Sequence, residues 1–86
     1  MREHIEEMRR AVCAGVSSPL AYHMAYRQMD TALLAANCGI WRWRIRRHLR
    51  PAPFARLKLR TLTRYAAALD VSCEALRNVP PVPSHD

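Results

Sequence analysis

Apolar positions recur at helical spacing through most of this 86-residue chain, and nowhere do they alternate as in a half-buried strand. Ile5, Met8 and Val12 share one face, acids precede Arg9 and Arg10 as the helix dipole favours, and Gly15 supplies a stop. These signals predict an amphipathic helix over about residues 2–14. Ser18 followed by Pro19 is an N-cap with proline at the first helical position, and opens a second helix through Leu20, Met24 and Arg27 that ends near Met29. Asp30 caps a third, from Thr31 to about Asn37. A fourth runs from Trp41 to Leu49, with Trp41, Ile45 and Leu49 on one stripe. Pro51 and Pro53 interrupt the pattern, so Arg50 to Leu59 reads as a basic loop. Thr61 then caps a fifth helix with an apolar stripe of Leu62, Tyr65, Ala66 and Leu69. Asp70-Val71-Ser72 turns the chain into a short final helix around Ala75 and Leu76. From Val79 onward prolines replace periodicity, which predicts an extended or disordered tail over 79–86.

The segment from Leu33 to Leu49 carries the most information. Leu34, Ala35, Gly39 and Ile40, followed by Ile45 and Leu49, have the spacing by which two short helices cross closely around a single glycine turn. Ala35 lacks the bulk to separate the helices, and Gly39 can take the positive φ of the turn. Ile40, Ile45 and Leu49 hold the second helix onto the first. The other side of that second helix carries Arg42, Trp43, Arg44, Arg46, Arg47 and Arg50, and no acid occurs between Asp30 and Asp70. A helix offering only cations and an aromatic ring suits a polyanion.

Composition narrows the possibilities. At this length the chain holds one helical core, and with half its residues apolar it needs no metal or disulfide to form it. Nine of the fourteen basic residues lie between positions 42 and 64, concentrating the net charge of +7 mid-chain. All but Lys58 are arginine, whose planar fork matches phosphates and guanine edges. A codon bias toward arginine would explain that ratio but not the clustering. Cys13, Cys38 and Cys73 are odd in number and widely spaced, and read as reduced, partly buried small hydrophobes with no metal role. No apolar run could span a bilayer, and Met1-Arg2-Glu3-His4 lacks the order of a secretory signal, so the expected location is cytoplasmic. Neither a paired-carboxylate site, a glycine-rich phosphate loop nor a nucleophile with a partner base is recognisable; the expectation is a non-enzyme without cofactor or small-molecule ligand.

The order of these parts resembles the Cro/lambda-repressor-like, or XRE-type, DNA-binding domain. The resemblance is carried by Leu34-Ala35, Gly39-Ile40, Ile45 and His48-Leu49, and downstream by Thr61-Leu62, Tyr65-Ala66 and Leu69-Asp70-Val71-Ser72. It implies an all-α architecture: a compact five-helix helix-turn-helix domain over 18–78, preceded by one additional accessory helix within 1–17. It further implies a transcriptional regulator that binds double-stranded DNA sequence-specifically, with residues 41–49 in the major groove and a homodimer among its partners. In that geometry Arg42, Trp43, Arg44 and Arg47 read bases, while Thr31, Arg46, Arg50, Arg56 and Lys58 hold phosphates. Trp41 departs from the family's usual Ser or Thr N-cap.

Other readings stay open at this stage. Trp41 falls on the packing stripe, Trp43 off it, where it suits either a thymine methyl or a partner protein. His48 takes a structural position, and Tyr22, His23 and Tyr26 suit core packing or a dimer contact. Residues 41–50 in isolation resemble a cationic membrane-active peptide, although their apolar stripe is narrow enough to be consumed by packing. A small antitoxin or adaptor whose basic face meets an acidic protein is the remaining alternative.

Overall fold

The computed structural model describes residues 2–78, and the 79–86 tail lies outside them. Its elements are seven helices: α1 (Arg2–Cys13), α2 (Pro19–Tyr26), α3 (Thr31–Cys38), α4 (Arg42–His48), α5 (Pro51–Ala55), α6 (Leu59–Leu69) and α7 (Cys73–Leu76). Among the described residues there is no strand, and no helix is long and apolar enough to cross a membrane.

Local chemistry accounts for most boundaries. The Asp30 carboxylate accepts from the Leu33 N–H at 2.8 Å and starts α3, and the Ser72 hydroxyl accepts from the Ala75 N–H at 3.0 Å and starts α7. Gly39 ends α3 at φ 73°, a left-handed conformation that lets the chain reverse into α4 after only Gly39, Ile40 and Trp41. Two non-glycine residues also turn the chain left-handed: Gln28 beyond α2, and Asp70 at the C-terminus of α6. The turn at Gln28 explains why α2 stops at Tyr26 rather than near Met29.

The expected basic loop from Arg50 to Leu59 instead contains α5. Pro51 occupies its first position and Pro53 lies within its first turn, where a backbone N–H has no intrahelical acceptor. The prolines therefore begin a helix rather than forbid one. Thr61 is likewise not a cap. Lys58 is the N-cap of α6 through its extended backbone, its carbonyl accepting from the Leu62 N–H, so the helix starts at Leu59 with Thr61 inside it.

The core runs from Leu20 and Met24 on α2 through Leu34, Ile40, Ile45 and Phe54 to the α6 stripe of Leu62, Tyr65, Ala66 and Leu69, and closes on Leu76. α1 lies chiefly on α2, its Ile5, Met8 and Val12 half-buried. Tyr22 and His23 are buried but Tyr26 is exposed. The His23 side chain ties α2 to the end of α7, its Nε2–H pointing at the Ala75 and Asn78 carbonyls, 2.9 Å from each. Cys38 and Cys73 are half-buried, with burial raising the Cys38 thiol pKa, whereas Cys13, at the end of α1, is exposed rather than partly buried.

Candidate nucleic-acid interface

α4 is held in place from beneath and behind. Ile45 is fully buried and Leu49 half-buried, which fixes the helix against α3 and the core. Its C-terminal carbonyls are taken by Ser18 at the head of α2: the Ser18 hydroxyl donates to the His48 carbonyl at 2.6 Å, and the Ser18 N–H to that of Leu49 at 2.7 Å. Ser18 thus caps α2 by backbone only, its side chain being used across the fold. His48 Nδ1 and the Tyr65 hydroxyl are hydrogen-bonded at 2.7 Å with their rings edge to face.

Burial pushes the His48 imidazole below its ordinary pKa, and the nearby Arg44 and Arg47 charges push it the same way. A folded value below the unfolded one means that the unfolded chain binds more protons in the interval between them. The stabilisation from neutral His48 is therefore complete above the unfolded pKa of about 6.5 and is lost as the pH falls from there through the folded value. Melting temperature should decline as the solution is acidified below that point, and His48→Gln should flatten this part of the profile. An unchanged profile in the variant would show that another group carries the acid sensitivity. Glu6, paired with Arg9 on α1 and also lowered, acts only at more acidic pH, below its ordinary value of 4.5.

The remaining circumference of α4 faces outward. In rotational order its side chains are Arg42, Arg46, Trp43, Arg47 and Arg44, with Trp43 and Arg47 near the crest opposite Ile45. The first four are exposed and Arg44 is half-buried. Trp41, expected on the packing stripe, is instead 72% exposed. It is the N-cap residue, with extended backbone (ψ 143°), so it lies outside the helical register that would align it with Ile45.

Three concavities border the helix. Trp43, Arg47, Arg56 and Lys58 line one beside the α5–α6 connection. Arg44, Lys58, Arg60 and Arg64 line a second between α4 and the N-terminus of α6, with Thr61 at its edge. Arg64 also reaches back over the turn, where a Cβ on Gly39 would lie 4.0 Å from its Nη1. The third is an apolar recess between α3 and α4, lined by small residues of α3, the two tryptophans, Arg42 and Arg46.

Of the residues singled out from sequence, Arg42, Trp43, Arg44 and Arg47 fall on the outward arc of α4, Arg44 at its inner margin. Arg56 and Lys58 join that arc through the α5–α6 concavity. Arg46 borders the apolar recess with Arg42, Arg50 stands exposed at the N-cap of α5, and Thr31 is half-buried at the start of α3. The structural residues Leu34, Ile40 and Ile45 are buried, Ala35 and Leu49 half-buried, and Gly39 makes the turn.

Arg60 and Arg64 received no individual role from sequence. Their four-residue spacing puts them on one helical face, but only if the helix includes Arg60, and a cap set at Thr61 hid that relation.

None of the nine cations from Arg42 to Arg64 forms an ion pair among the described residues; the two ion pairs found there both lie within α1. No described group of three or more His, Cys, Asp and Glu residues is gathered as metal ligands. No protein-family model matches the chain, and no curated protein or solved structure matches it either.

Proposed function

We propose that this protein is a sequence-specific duplex-DNA-binding transcriptional regulator of the Cro/lambda-repressor-like kind, with α3 and α4 as its helix-turn-helix and α4 in the major groove. The observation that carries the reading is the run of nine cations from Arg42 to Arg64, unpaired among the described residues and spread over α4, the α5–α6 connection and the head of α6. Surface charges that stabilised the fold would be neutralised by carboxylates; here the neighbouring chain supplies none. Duplex DNA supplies closely spaced phosphates to match them.

The geometry favours a division of labour somewhat different from that implied by the sequence resemblance. Arg42, Arg46, Trp43 and Arg47 lie on the exposed arc and suit base edges. Arg44 shares its cleft with Lys58, Arg60 and Arg64 beside the N-terminus of α6, where no side chain caps the first N–H groups, an arrangement suited to a phosphate. Arg56 extends the positive surface and Arg50 continues it past α4.

A protein-binding module is the second reading, favoured by the exposure of Trp41 and Trp43. Membrane-surface binding by α4 draws no such support, because its apolar side is already occupied by packing. Selection from a random duplex library tests the proposal: enrichment of a defined site is expected, and recovery of unchanged random sequence at moderate salt would refute sequence-specific binding.

A further inference from the structure

We infer that the recess between α3 and α4 receives thymine methyl groups, so that the protein reads the keto bases, thymine in the recess and guanine beneath the flanking arginines. The inference rests on the duplex-DNA reading above and specifies what that site recognises. Its floor is formed by Ala32, Ala35 and Ala36 on α3 with the Gly39-Ile40 turn, a surface of methyl groups and backbone. Trp41 and Trp43 flank it, and Arg42 and Arg46 stand at its rim.

Two features select the occupant. The lining side chains are carbon except for guanidinium and indole N–H groups, which are donors only. No side chain there can accept the amino hydrogens of adenine or cytosine. In the major groove thymine presents an acceptor beside a methyl group, and guanine presents two acceptors. Thymine therefore satisfies both the apolar floor and the donors, and guanine suits an arginine fork. The same arginines, unpaired among the described residues, bring charge complementarity to the phosphates on either side. The recess is thus continuous with the basic surface of α4 rather than a separate apolar patch.

Thymine differs from deoxyuridine only by the methyl group, which makes the test direct. A duplex recovered by selection is compared with the same duplex carrying deoxyuridine at every thymine. The thymine duplex should bind more tightly by about fourfold for each methyl seated in the recess. Trp43→Ala removes a wall and Ala36→Leu fills the floor; both residues are exposed, so melting temperature should hold while the thymine preference falls toward one. Because Trp41 and Trp43 are the only tryptophans, their fluorescence should also change more on binding the thymine duplex.

A selected site without thymine, or equal affinity for the two duplexes, overturns the methyl assignment while leaving DNA binding intact. A tryptophan response that follows protein concentration without DNA, together with equal duplex affinities, assigns the recess to a second copy of the chain and also overturns it. Failure to bind any duplex overturns the functional reading itself.

Discussion

DNA affinity should fall about a thousandfold between 50 and 200 mM salt, on the basis of about six phosphate contacts among the nine unpaired cations and a log–log slope of about −5. Each phosphate neutralised by an arginine or lysine releases condensed counterions, so the slope counts contacts irrespective of base sequence. Alanine at Arg44, Lys58, Arg60 or Arg64 should lower its magnitude by about one and weaken specific and random duplexes alike. Alanine at Arg42, Arg46 or Arg47 should instead cost about 1–3 kcal/mol against the selected site and relax its base preference. Titrations of each variant against both duplexes across salt would separate the groups. A flat salt response would reject the polyanion partner. A change in base preference from Arg44→Ala would reject the division between the outward arc and the α6 cleft.

The second large effect concerns stability. Ile45→Ala should destabilise the protein by about 2–5 kcal/mol, because removal of a fully buried branched side chain loses its transfer free energy and leaves a cavity. In a chain of this size that corresponds to a fall in melting temperature of roughly 10 °C or more. Ile45 lies among Leu34, Ile40 and Tyr65 in the core, so collapse around the gap would require several helices to move together. Thermal unfolding followed by circular dichroism checks the expectation, and a shift of only a degree or two would mean that α4 is not anchored through this residue. Trp43→Ala, on the same helix but exposed, is the matching control.

The sequence made several parts of this arrangement legible because their causes are local. Asp30 and Ser72 could be recognised as caps since each closes a hydrogen bond three residues ahead, and Gly39 as a turn since glycine takes a left-handed φ without strain. The burial of Leu62, Tyr65, Ala66 and Leu69 followed from their shared helical face. Elsewhere a local signal misled. Prolines at 51 and 53 read as breakers because their effect depends on helix position, and they occupy the first turn. Thr61 read as a cap because its residue type fits, although the backbone enters the helix three residues earlier.

The chain's own order of residues thus determined an all-helical protein, a glycine-turned pair of short helices and an acid-free basic middle segment. Those properties depend on backbone conformation within a turn or on residue type alone. Tertiary structure decided that Ser18 would hold the carbonyl of His48, thirty residues away, and that His48 would turn inward to Tyr65. It also brought Arg60 and Arg64 beside Arg44, and left Trp41 and Trp43 outside the core. These outcomes depend on where several helices meet: the space closed around Ile45 and Tyr65 fixes the rotation of α4, and that rotation determines which of its side chains are buried and which remain available to a partner.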